Sequence, residues 1–230
     1  EIVFGDWSSD VCSSDLGVYG ARLSSHLAAE SGDADTLQGR RMNPVTHLLL
    51  GWTVANAGCR LNRRERTAIT LAGVAPDLDG LGLVAEALTR GGKHELLWWS
   101  NYHHTALHNI TFALAVAAVC FFTAGRRWLV GFLALISFHI HLLGDLLGAR
   151  GPDNDHWPIP YLMPFSDRWQ WIWDGQWELN AWPNFVVTGV LLVCMFYLAW
   201  KRGYSSLEMV SQRADQAFVN TLRHRFPIWR

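Results

Sequence analysis

Ser137-Phe138-His139-Ile140-His141-Leu142-Leu143-Gly144-Asp145-Leu146-Leu147 is the stretch whose reading decides the fold. It is apolar except for a few polar groups, and it continues an apolar run that begins at Trp128. A run of that length reads as a helix buried in a core or a membrane. His141 and Asp145 are four residues apart, so on a helix they share one face. A bare imidazole and a bare carboxylate among Leu, Ile and Phe cost several kcal/mol unless something pairs with them. His139 lies two positions from His141 and points elsewhere on a helix, so it is expected to be a packing histidine or a group behind the ligands.

Three further fragments carry matching groups. They are His47 in Thr46-His47-Leu48, Asp77 and Asp79 in Pro76-Asp77-Leu78-Asp79-Gly80, and His103, His104 and His108 in the run from His103 to His108. Each has a plainer reading when taken singly. His141 and Asp145 could share a core hydrogen bond, the Asp/Gly segment could be an ordinary turn, and His103 or His104 could be a solvated helix start. Taken together on apolar segments, they are better explained by a bound divalent metal ion, or two.

The chain has 230 residues, half of them apolar, 17% charged, with 13 tryptophans. Charged content near 25% is usual for soluble domains, so less of this surface faces water. The net charge of −1 gives no reason to expect nucleic acid as a partner. Asp6-Trp7-Ser8-Ser9-Asp10-Val11-Cys12-Ser13-Ser14-Asp15-Leu16 reads like the conceptual translation of a sequencing adapter. On that expectation residues 1–41 are a non-native or disordered extension and Met42 is the natural start. Cys59, Cys120 and Cys194 lie singly in apolar stretches and are expected to be buried small residues.

Asn43-Pro44 opens a short helix from Val45 to Gly58, and further apolar runs follow at Thr67–Val74, Ile110–Thr123, Trp128–Leu147 and Phe185–Trp200. Residues 151–183 read as a loop rich in tryptophan, with Trp157, Trp169, Trp171, Trp173, Trp177 and Trp182. Basic groups punctuate alternate turns: Arg60, Arg63, Arg64 and Arg66, then Arg126 and Arg127, then Lys201 and Arg202. An up-and-down path puts all of them at one end, cytoplasmic by the positive-inside rule. The same path gathers the histidines and aspartates at the other end, with the tryptophans at that interface. The expected fold is therefore all-α, a membrane-embedded bundle of about five helices with three or four in the membrane. A Trp-rich loop lies over a polar metal site.

No Gly-x-Ser-x-Gly elbow, phosphate-binding glycine loop or His-Glu-x-x-His motif occurs. The order and spacing of Met42-Asn43-Pro44-Val45-Thr46-His47, Pro76-Asp77-Leu78-Asp79, His103–His108, His141-Leu142-Leu143-Gly144-Asp145 and Pro164-Phe165-Ser166 resemble the YdjM-like family. Members of that family are described as LexA-binding, inner-membrane-associated, metal-dependent hydrolases. The family's central motif reads His-Arg-Gly-x-Thr-His-Ser. Here it is His103-His104-Thr105-Ala106-Leu107-His108-Asn109, so the outer histidines match and His104 becomes the candidate substitute for the arginine. The His/Asp arrangement is also distantly similar to the all-helical zinc-dependent phospholipase C and nuclease fold, by analogy only.

The resemblance implies a membrane-bound metal-dependent hydrolase over 42–203, followed by a polar C-terminal tail over 204–230. His47, Asp77, Asp79, His103, His108, His141 and Asp145 are the expected ligands, to one or two zinc or manganese ions. His104 and Asp79 are the expected acid–base groups, with a phosphoester or ester of lipid-like character as substrate and membrane lipid as surroundings. The expected location is the bacterial inner membrane, multi-pass, with the site on the non-cytoplasmic side. The rival expectations are a non-catalytic membrane protein with a structural metal site and a metal or proton carrier.

Overall fold

The computed structural model describes residues 44–58, 60–151 and 156–227. The expectations for 1–41 and for Cys59 lie outside the described residues. Among those residues are eight α-helices: α1 Pro44–Asn56, α2 Arg63–Ala72, α3 Gly82–Thr89, α4 Trp98–Tyr102, α5 Ile110–Thr123, α6 Arg127–Gly148, α7 Trp182–Arg202 and α8 Gln212–Arg225. A 3-10 turn, Ala75–Leu81, joins α2 to α3, and another, Ser206–Met209, precedes α8. Strands β1 Ile159–Pro160 and β2 Gln170–Trp171 pair antiparallel inside the Trp-rich loop. Strands of two residues are too short to leave an alternation in the sequence, which is why that segment reads as loop.

Helices α1, α2, α5, α6 and α7 make the bundle. Asn62 and Glu65 form a reciprocal capping box that starts α2, and Asn109 caps α5 by accepting from the Phe112 N–H. Gly203, at φ +83°, ends α7 in the left-handed conformation that glycine adopts without steric cost. The basic residues gather at one end. The Arg126 N–H donates to Glu65 Oε1 at 3.1 Å, its guanidinium to the Arg60 carbonyl at 2.5 Å, and Arg202 to Asn56 Oδ1 at 3.5 Å. At the other end, the Asn184 side chain donates to the Gly148 carbonyl at 2.9 Å, joining the end of α6 to the start of α7. The alternating path read from the charges is therefore the path of the chain.

Helices α6 and α7 are long and apolar enough to cross a membrane. Only 6% of the apolar window of α7 is fully buried, so much of its surface faces outward, open to lipid. Helix α2 and the turn-plus-α3 segment have the length and composition of a span only when taken together, bent by 58° at the break, as a broken span or a re-entrant loop. The expectation of three or four membrane helices thus becomes two, or three with the broken span. Helices α1 and α5, at 13 and 14 residues, are too short against the roughly 20 that a span needs.

The core has two parts. Ala55, Leu61, Ile69, Ala72, Cys120, Val130 and Ala134 fill the basic half; Ala113, Phe138, Leu142 and Ile159 fill the half beneath the histidines. Between them the helices approach closely. A Cβ on Gly51 would stand 2.8 Å from the Thr70 carbonyl oxygen, and one on Gly73 would stand 2.5 Å from Ser137 Oγ. Small residues at such crossings are how membrane helices gain contact. Because the obstacle at Gly51 is backbone, Gly51→Ala is expected to destabilise by about 1–3 kcal/mol, read as a lower melting temperature in detergent. An unchanged melting temperature would mean that α1 slides freely on α2.

The polar stretch after Gly203 packs back on the basic end. Arg66 meets Glu208 in a two-pronged pair at 2.6 and 2.7 Å, both side chains buried, with the guanidinium 3.7 Å over the Tyr204 ring. Arg66 also donates to the Leu61 carbonyl, and Arg63 donates to the Glu208 carbonyl at 2.6 Å.

Candidate metal centre

The four fragments meet at the end opposite the arginines. His47 comes from the first turn of α1, Asp77 and Asp79 from the turn after α2, and His141 and Asp145 from the last two turns of α6. His103, His104 and His108 come from the segment between α4 and α5. Asp145 lies at the middle. Its Oδ1 is 3.3 Å from His47 Nε2, and its Oδ2 is 3.0 Å from His141 Nε2 and 3.4 Å from His108 Nε2. His141 Nε2 is also 3.4 Å from His108 Nε2 and 3.6 Å from Asp77 Oδ1.

The protons show what this cluster needs. His141 Nδ1 lies 2.8 Å from the Gly73 carbonyl, which can only accept, so Nδ1 carries the hydrogen. His108 Nδ1 lies 3.0 Å from Asp79 Oδ2 and donates in the same way. In their neutral forms both rings therefore turn a lone pair inward from Nε2, toward each other and toward a carboxylate. Neither oxygen of Asp145 or of Asp77 accepts a well-directed hydrogen bond, and His47 Nδ1 is buried without one. Acceptors facing acceptors in a buried space demand a positive charge. Burial alone would push the His108 imidazole down, yet the carboxylates of Asp145 and Asp79 beside it outweigh burial and push it up to about 9. A divalent ion bound here would compete with that proton for the same place.

The spacing suits an ion. Around a tetrahedral zinc with bonds of roughly 2.0–2.1 Å, ligand atoms stand about 3.3–3.4 Å apart. Two groups of donor atoms could each hold an ion, His47, Asp77 and His141 on one side and His104, His108 and Asp145 on the other. Five of the seven expected ligands fall in these groups.

Asp79 and His103 do not fall in them, because Asp79 spends both oxygens on histidine Nδ1 atoms. His103 donates to Oδ1 at 2.8 Å and His108 to Oδ2 at 3.0 Å. This is the arrangement of a carboxylate that orients ligating histidines, and it differs from the expected ligand and acid–base roles of Asp79.

His104 enters a donor group in addition to its expected acid–base role. Its backbone takes φ +64°, uncommon for a residue with a Cβ. That turn brings its ring to 4.6 Å from the His108 ring and 4.6 Å from Trp157, between centroids. Burial, and next to it the charge at His108, hold the His104 imidazole well below its ordinary range.

Sequence reasoning missed three supports. The Gly73 carbonyl has no sequence signature at all. Trp99 stacks on His103 at 3.6 Å, and the Gln176 side chain donates to the Asp145 carbonyl at 2.7 Å. Only the density of tryptophan hinted at such a roof. His139 bonds the Leu135 carbonyl and the Tyr161 hydroxyl, each at 2.8 Å, away from the cluster.

Fold and cluster together define a membrane-embedded helical bundle with His/Asp groups able to hold a metal. The chain belongs to the YdjM inner membrane protein family, whose profile matches residues 42–211. No curated protein and no solved structure matches it.

Proposed function

We propose that this protein is a membrane-bound, metal-dependent hydrolase of a phosphoester or ester with lipid-like character. The supporting observation is the convergence of buried His Nε2 and carboxylate atoms, several without hydrogen-bond partners, at one end of a lipid-exposed bundle. His47, Asp77 and His141, with His108 and Asp145, would hold one or two ions, zinc or manganese. Such an ion, when bound, lowers the pKa of water to near 7 and polarises a phosphoryl or carbonyl oxygen.

The chain's own residues do the rest. Asp79 holds the Nδ1 protons of His103 and His108 and so keeps the His108 Nε2 inward. The Gly73 carbonyl does the same for His141. Asp77 keeps both oxygens without hydrogen-bond partners and fits the role of base or ligand. His104, kept neutral by burial, is placed to accept a proton from the attacking water and then to pass that proton to the leaving group. Trp99 and Trp157 pack over these rings and exclude water. With the arginines on the cytoplasmic side, the centre faces the other side of the inner membrane.

Metal analysis of the purified protein, followed by a panel of chromogenic phosphoesters and esters, tests this reading. Absence of hydrolysis across both classes by metal-replete protein would overturn it in favour of a structural site. His104→Ala is expected to cut turnover by about a hundredfold while metal content stays near wild type. Both are read on one preparation, by rate assay and elemental analysis. Loss of metal in that variant would make His104 a ligand.

A further inference from the structure

At the basic end, far along the bundle from the histidines, a groove of about 750 Å³ runs down the flank of α2. It is lined by Arg63, Arg64, Ala68, Leu71, Met209 and Gln212, among others. The order of these residues along α2 carries the argument. Arg63 and Arg64 open the helix at the level of the other basic residues. Ala68 lies one turn below and Leu71 two turns below, about 10 Å from Arg64 at 1.5 Å per residue. The groove is therefore cationic at its mouth and mostly apolar along its depth, with Thr67 between Arg64 and Ala68. That depth runs toward the membrane interior, because α2 begins the broken span. Leu71 is 54% exposed.

Arg63 is partly occupied by the Glu208 and Met209 carbonyls. Arg64 is exposed and enters none of the ion pairs among the described residues.

We infer that this groove binds one anionic phospholipid of the bilayer. Its phosphate sits on Arg63 and Arg64, and one acyl chain lies along Ala68 and Leu71. Charge complementarity selects the headgroup, since arginine pairs with phosphate oxygens through several N–H groups at once. The graded polarity selects a molecule with an anionic head and an apolar tail over a free anion. The site is independent of the proposed hydrolysis and lies at the opposite end of the bundle.

Native mass spectrometry of the full chain in mild detergent, with phosphatidylglycerol or phosphatidylcholine added, tests this. Wild type is expected to retain phosphatidylglycerol over phosphatidylcholine by about tenfold. Arg64→Glu should abolish that preference. Arg225→Glu, which changes charge at the same end but outside the groove, should keep it. Equal retention of the two lipids by wild type, or an equal loss in both variants, would overturn the site and leave only a diffuse basic surface.

Discussion

Replacing Asp145 with alanine is expected to strip the centre of metal and to destabilise the protein. Asp145 is the group that touches most of the others, lying 3.3, 3.0 and 3.4 Å from His47, His141 and His108. It is 2% exposed, so its charge is paired by these rings rather than by bulk water. Without it His47, His141 and His108 lose their shared carboxylate, with only Asp77 beside His141 and Asp79 beside His108, and breaking such a buried set costs about 3–5 kcal/mol. Asp145→Asn separates the two effects. It keeps the shape and removes the charge, so metal content should fall while the melting temperature of the metal-free protein falls less than for alanine. Elemental analysis beside thermal denaturation in detergent reads both quantities. Wild-type metal content in Asp145→Ala would remove this carboxylate, and the centre built around it, from consideration.

Glu208→Ala is expected to cost about as much at the other end, again about 3–5 kcal/mol. It strands the Arg66 guanidinium, which holds Glu208 through two bonds at 2.6 and 2.7 Å and is itself only 7% exposed. The damage should spread to α8, because the same turn carries the carbonyl that Arg63 holds. Replacing both partners by apolar residues, Arg66→Met with Glu208→Leu, should recover much of the loss, since no unpaired charge then remains buried. Metal content per folded molecule should not change in either variant. A melting temperature for Glu208→Ala equal to wild type would mean that the C-terminal segment is not anchored by this pair.

The contrast between the two ends explains what the sequence could reveal. The path of the chain was legible because two separate patterns, arginine pairs at alternate turns and ligand residues at the others, both required it. The meeting of His47, Asp77, His108, His141 and Asp145 followed from that path. Asp79 and His103 were harder. Spacing says that a carboxylate is near a histidine, but not whether its oxygens point inward or bond to the back of the ring. The Arg66–Glu208 pair joins residues 142 apart, a separation at which no local pattern survives, and the arginine had already been accounted for by the charge at its end of the bundle. The number of spans, expected at three or four, stands at two, or three if the bent pair after α1 is one span, because a backbone break leaves no length signal in the sequence.

The break after α2 has a consequence for how the centre keeps its shape. In an unbroken helix the Gly73 carbonyl would accept from the amide of Asp77. Here that amide turns to the Val74 carbonyl at 3.1 Å, Pro76 stands at the bend, and the Gly73 oxygen is released to hold His141. The interruption and the histidine are thus one device: a kinked backbone supplies the clamp that aims a side chain on a different helix. Anything that straightens the kink withdraws the clamp and lets the imidazole swing, so the angle between two helices and the aim of one ring cannot vary independently.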